Sequence, residues 1–202
     1  MACHVLNLCV QDGLQFISHI LVPIRNLIVY LRQSAARRQD FKKICDIAGK
    51  KFRKFPLDIN VRWNSTFRML QAVRGYELPI IDYYNENIAS DTDNYLSTID
   101  FEIANNISDI LSAMEMAINS LSGSYYPTAH LLLPTIVQVA HQMHVYADNN
   151  TAREMIAAMQ MKFLKYYEDI PLICCVACAL DPTVKFYGLE KLFNYYNEVT
   201  PN

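Results

Sequence analysis

Glycine is scarce in this sequence, with five in 202 residues. Close approach of the backbone to a nucleotide's phosphates is therefore poorly provided for, and neither a glycine-rich phosphate loop nor a nucleophile elbow is present. Cysteine occurs six times, at positions 3, 9, 45, 174, 175 and 178, too unevenly for a legible disulfide framework. No charged n-region opens the chain, and Asn7, Gln11 and Asp12 interrupt the early apolar residues, so no secretory peptide is read. The longest apolar run, Pro171 to Leu180, is about half what a membrane span needs. An intracellular, reducing compartment is the consistent expectation. Tryptophan occurs once, at Trp63.

What remains is the composition of a packed globular protein, with 52% hydrophobic residues and enough length for one sizeable core. The net charge of −2 conceals an uneven distribution. Between Arg25 and Arg74 there are 13 Lys and Arg against 3 acids, while the remainder carries 5 basic and 17 acidic residues. Such asymmetry points to a polyanion as partner of the basic part, or to two parts that neutralise each other.

Periodicity predicts helices almost throughout. Leu6, Val10, Ile17, Ile20, Ile24, Leu27 and Leu31 recur at three- and four-residue steps from Val5 to Leu31, with Gly13 and Pro23 as candidate breaks. Phe41, Ile44, Ile47 and Ala48 continue a basic helix that Gly49 ends. Asn64 to Tyr84 reads as one helix kinked at Pro79. Asn85 to Thr98 reads as the clearest loop. Further helices are expected over Ile99–Leu121, Ala129–Ala147, Ala152–Tyr167 (capped by Thr151) and Val184–Asn197. Ile170 to Leu180 is apolar all round, so it is expected to be buried, as helix or short strand. The fold class is mainly α with at most a short strand. Residues 1–56 form a core-type helix and a basic helix, and residues 57–202 follow as a second region or as part of one continuous domain.

Two adjoining stretches carry the functional expectation. Lys50-Lys51-Phe52-Arg53-Lys54-Phe55-Pro56 alternates cations with rings, as a nucleic-acid surface does, and equally reads as a solvated loop pinned by two phenylalanines. Arg62-Trp63-Asn64-Ser65-Thr66 places the sole indole between a guanidinium and three short polar side chains. If Asn64 or Ser65 caps a helix, Trp63, Phe67 and Leu70 share one stripe while Arg68 and Gln71 point elsewhere. Trp63 is then either a stacking platform or the largest core anchor of a helical domain.

Enzyme chemistry is poorly marked. Cys175-x-x-Cys178 and His141-x-x-His144 have ligand-like spacing, but the cysteines lie in an apolar run and read as buried thiols. Asp91 to Asn94 lacks the glycine and terminal glutamate of a calcium loop. No spacing singles out a pair of carboxylates for two-metal chemistry. We expect no catalytic residue, no metal and no cofactor.

Four stretches together resemble the hAT superfamily of DNA transposases and its plant BED-finger, RICESLEEPER-like members. They are His4-Val5-Leu6-Asn7-Leu8 with Val10 to Leu14, Arg62 to Thr66 with Met69-Leu70, Tyr126-Pro127-Thr128-Ala129, and Ala179-Leu180-Asp181-Pro182 with Lys185. They stand in the family's order and span nearly the whole chain. The resemblance implies a helical segment of an RNase H-like transposase core with its helical insertion. It gives Arg62 and Trp63 the task of holding DNA, the ring stacking on an extruded base. It also implies a nuclear protein. Met1 replaces a family cysteine, and His130 stands where relatives place asparagine. The family's three catalytic acids, its BED zinc finger and its dimerisation region fall outside the matching stretches. The expected function is a non-catalytic, transposase-derived DNA-binding domain engaging single-stranded or distorted ends, through Arg62, Trp63, Asn64, Ser65, Thr66, Arg68, Lys50, Lys51, Arg53 and Lys54. The alternative is a helical protein-interaction module, associating with itself or a partner through apolar surface such as the face of Phe186 to Tyr196.

Overall fold

The computed structural model describes residues 2–59, 62–89, 95–121, 129–150, 152–167, 170 and 172–200. Among them there are ten α-helices, one 3-10 turn and no strand, so the chain is mainly α. The expected cap at Thr151, the Ser122–Thr128 connection and the Asp91–Asn94 stretch lie outside the described residues.

Two compact units emerge, one of residues 16–108 and one of residues 1–15 with 109–202. The division expected near residue 56 falls inside the first of these, for a clear physical reason. Phe55 packs its ring 6.0 Å from Phe41 and 5.4 Å from Tyr76, tying together both sides of that supposed boundary.

The unit of residues 16–108 begins at the 3-10 turn Gln15–Ile17 and holds α2 (Ser18–Gln33), α3 (Ala35–Ile47), α4 (Trp63–Val73), α5 (Glu77–Asn87) and the first part of α6 (Thr98–Leu121). Ile20, Leu21, Ile24, Leu27, Ile28 and Leu31 form the buried stripe of α2, and Pro23 sits inside the helix without ending it. The carbonyls left unpaired at the end of α2 are taken by the next helix: Arg37 donates to Tyr30 O, and Arg38 donates to Leu31 O and Arg32 O. Gly49 terminates α3 as expected, at φ 67, with Lys50 N–H donating back to Cys45 O at 2.8 Å. The single kinked helix expected over Asn64–Tyr84 is instead two helices. The chain turns at Gly75, whose φ of 84 suits glycine, and Pro79 lies in the first turn of α5, where a missing N–H costs nothing.

The other unit joins α1 (Ala2–Leu14) to the end of α6, α7 (Ala129–Tyr146), α8 (Arg153–Tyr167), α9 (Leu172–Ala179) and α10 (Lys185–Val199). α1 lies against α8, with α7 contacting α8, α9 and α10. Gly13 allows the first of these contacts, because a Cβ there would stand 2.7 Å from Met159 Cγ and 2.9 Å from Met155 Cγ. Asp12 and Lys162 form an ion pair at 2.9 Å beside it. The helical stretch His4–Gln33, taken across the 3-10 turn, is long and apolar enough to cross a membrane by length and composition, but half of its apolar window is buried.

Ile170–Leu180 contradicts its expected burial. α9 covers only one side of itself with Cys174 and Cys178, while Leu172, Ile173, Val176 and Leu180 are exposed, Leu172 at 77%. A helix of eight residues has room to bury one stripe, and an all-round apolar composition leaves the other stripe in water. Phe186 and Tyr187 are exposed at the start of α10.

Candidate nucleic-acid interface

The Arg62–Thr66 motif opens α4, but not as the sequence suggested. The N-cap is Arg62, with no side-chain cap. Ser65 and Thr66 are turned to Asp58 instead: Ser65 Oγ donates to Asp58 Oδ1 at 2.6 Å, and Thr66 Oγ1 lies 3.0 Å from both carboxylate oxygens. Arg25 Nε from α2 donates to Asp58 Oδ2 at 2.5 Å, and the carboxylate is fully buried. Ser65 Oγ also accepts the Ile59 N–H at 2.7 Å. Asp58 therefore gathers a guanidinium and two hydroxyls and locks the connection after α3 onto the first turn of α4. Sequence reasoning missed this residue, although one of only three acids among 13 cations, shortly before a Ser-Thr pair, was a signal.

Trp63 is 3% exposed, with its ring centroid 6.3 Å from Phe67. The stripe Trp63, Phe67 and Leu70 is buried and Arg68 and Gln71 are exposed, as helical spacing predicts. The stacking expectation for Trp63 is corrected accordingly. A ring with both faces in the core offers none to a base, and burial of a large aromatic stabilises the fold. Thr66 is 1% exposed and its hydroxyl faces Asp58. Ser65 is half-buried and spends its hydroxyl in the same way, so neither is placed to donate to a phosphate. Asn64 is half-buried, with Oδ1 buried and without a hydrogen-bond partner among the described residues. Arg62 and Arg68 remain exposed.

The basic connection 50–56 is pinned by its rings. Phe41, fully buried, meets Phe52, Phe55 and Tyr83 edge-on at 6.2, 6.0 and 5.4 Å. Lys50, Lys51, Arg53 and Lys54 project between these pins, all exposed. Arg53 lies over the Tyr76 ring at 4.7 Å and donates to Ala72 O at the end of α4, where the helix dipole favours a cation. Lys50 reaches toward Gly75 and acts on Glu77. Burial alone would raise that carboxyl, but the Gly75 N–H, the Glu77 N–H, the Asn105 amide and the Lys50 ammonium together hold it below the ordinary glutamate range. No hydrogen bond or ion pair holds the Lys51 or Lys54 side chain among the described residues.

Arg53 and Lys54 meet two residues that sequence reasoning did not single out. With Arg32 and Arg38 they form the rim of a half-open cleft of about 310 Å³, and Ile28, Leu31, Phe52 and Phe55 supply its apolar wall. Arg32 is fixed by donation to Phe55 O at 3.0 Å, and Arg38 by the end of α2, so each guanidinium has one nitrogen anchored and others without a partner among the described residues. Among the described residues no carboxylate lines the cleft. Arg62 and Arg68 do not line it. They sit on the early turns of an eleven-residue helix about 16 Å long, whose far end Arg53 caps.

Among the described residues no group of three His, Cys, Asp or Glu side chains is arranged to hold a metal ion. Cys174 and Cys178 are buried free thiols, raised above the ordinary thiol range by desolvation.

Two family models match the chain. The ZBED1 RNase-like helical domain covers residues 1–110, and the hAT-like transposase, RNase-H fold, covers residues 130–201. Among similar proteins, the "Putative AC transposase" of Zea mays is 25% identical, in an alignment covering 100% of this chain and 28% of that protein. "Zinc finger BED domain-containing protein RICESLEEPER 2" of Oryza sativa subsp. japonica is 24% identical, covering 95% of this chain and 26% of the relative. The chain thus spans little more than a quarter of the length of these relatives. No solved structure matches it.

Proposed function

The chain belongs to the hAT transposase family, and from that premise we propose that it is a non-catalytic DNA-binding segment acting in the nucleus. The cationic cleft carries this reading: Arg32, Arg38, Arg53 and Lys54 line one half-open space with no carboxylate beside them among the described residues. Exposed Lys50 and Lys51 extend the positive surface along the same connection. Such a cluster is repelled by itself and relieved by a polyanion, whose condensed counterions are released on binding. Trp63 supports the surface from within and does not touch the strand. The zinc-finger and transposase wording of the relatives' names is consistent with DNA as the polyanion.

Anisotropy of a labelled oligonucleotide, titrated with the full chain from low to physiological salt, tests the reading. Four phosphate contacts would give a slope of log K against log salt of about −3.6, and Lys54→Gln should reduce its magnitude by about one. Absence of salt-sensitive binding at low ionic strength would sink the proposal. Magnesium-dependent cleavage by the purified chain would overturn its non-catalytic part.

The exposed stripe of α9 and α10 favours a second reading, a protein-interaction module. It predicts association that persists at high salt and is lost on Leu172→Ser with Phe186→Ser.

A further inference from the structure

We propose that the cleft between α2 and the 50–56 connection takes a single unpaired nucleotide, its phosphate on the cationic rim and its base against the Phe52 wall; this rests on the DNA-binding reading and specifies the form of DNA. Two properties of the cleft point to this ligand. Its rim carries Arg32, Arg38, Arg53 and Lys54 with nothing of opposite sign among the described lining residues, so the bound group is an anion with several acceptor oxygens. Its wall is apolar and aromatic, so the same ligand has a flat or apolar body beside the anion.

Phe52 is suited to the second task. Phe41 packs against its inner side at 6.2 Å and an interplanar angle of 74°, which holds the ring in place while its outer part stays accessible. At about 310 Å³ the space is at the small end of ligand pockets, the scale of one nucleotide rather than of a groove-spanning helix. A duplex can give the rim its phosphates but keeps its base faces covered by stacking neighbours. Only an unpaired base brings a π-face to the wall. Double-stranded DNA would therefore use half of the cleft and single-stranded DNA all of it.

The shared chemistry is one phosphorylated nucleoside, supplied by a strand or by a free nucleotide, and the test separates these. The full chain is titrated against a labelled single strand of about ten nucleotides and against the duplex of the same sequence, at one salt concentration. AMP and inorganic phosphate then serve as competitors. The single strand is expected to bind about tenfold tighter than the duplex, which is the size of one stacking contact. Phe52→Leu keeps an apolar side chain against Phe41 and should abolish most of that preference, the single-strand affinity falling toward that of the duplex. Lys54→Gln should lower both affinities together. AMP should displace the single strand at a lower concentration than phosphate does. Displacement by AMP more effective than by the unlabelled strand would assign the cleft to a free nucleotide. Equal affinity for strand and duplex in the unmutated chain overturns the inference and leaves the DNA-binding reading standing. So does equal competition by AMP and phosphate. Failure of both DNA forms to bind at low salt overturns both.

Discussion

Removing the Asp58 carboxylate should cost this chain more than any surface change of similar size. The carboxylate is fully buried and receives Arg25 Nε, Ser65 Oγ and Thr66 Oγ1. Asp58→Ala leaves the Arg25 guanidinium, whose side chain is 22% exposed, without its counterion in partly dry surroundings. It also takes both carboxylate oxygens from Thr66, which is 1% exposed. Ser65 loses less, because it keeps the Ile59 N–H. Breaking one side of a buried pair costs about 3–5 kcal/mol, a fifth or more of a typical domain's stability of about 5–15 kcal/mol. Thr66→Val should cost about 1–2 kcal/mol by removing one neutral donor. The double variant should fall short of the sum of the two, since each disrupts the same cluster. Urea unfolding followed by Trp63 emission reads the unit that contains the cluster, and far-UV dichroism checks whether the other unit unfolds with it. An Asp58→Ala shift below about 1 kcal/mol, or full additivity with Thr66→Val, would refute the account of Asp58 as the lock between α2 and α4.

Three further outcomes follow from burial and approach. Trp63, at 3% exposure, should resist acrylamide and remain unquenched on adding DNA, and Trp63→Ala should cost about 3–5 kcal/mol in urea unfolding; direct quenching by DNA would restore the ring as a stacking face. Burial, with Asp12 adding to it, pushes the Cys9 thiol up to about 12, and burial beside Asp46 pushes Cys45 up to about 11. Both should react with a thiol reagent at pH 8 only as the chain unfolds. Because the folded state favours their protonated form, this contribution is intact below the ordinary thiol pKa and lost as pH rises through about 11 to about 12, which urea midpoints across alkaline pH would register. Gly13→Ala should lower the thermal midpoint by about 1–3 kcal/mol equivalent, as Met155 and Met159 are forced from the α1–α8 contact; a higher midpoint would contradict that packing.

The helices were legible because their stripes repeat at helical spacing: α6 was expected over Ile99–Leu121 and spans Thr98–Leu121, and α8 differs from its expected range by one residue. The less legible features depend on groups distant along the chain. Arg62 and Trp63 are neighbours in sequence, yet successive helical residues point about 100° apart, so one faces solvent while the other enters the core. Their adjacency suggested a joint grip that the helix geometry separates. Asp58 gained its importance only when Arg25, 33 residues earlier, was brought beside it. The cleft needed Arg32 and Arg38 placed against Arg53 and Lys54, and no local pattern encodes that meeting. On α9, composition correctly suggested an apolar segment but could not say how many neighbours would be there to cover it.

The turn between α9 and α10 adds a different consequence. Asp181 Oδ1 accepts from both the backbone and the hydroxyl of Thr183, and Lys185 follows at φ 58, a left-handed conformation uncommon for a side chain with a Cβ. Exchanging Lys185 for glycine would relax that backbone without removing any described hydrogen bond, whereas a β-branched residue would strain it further. This single position is thus a tuning point for the rigidity of the corner between α9 and α10.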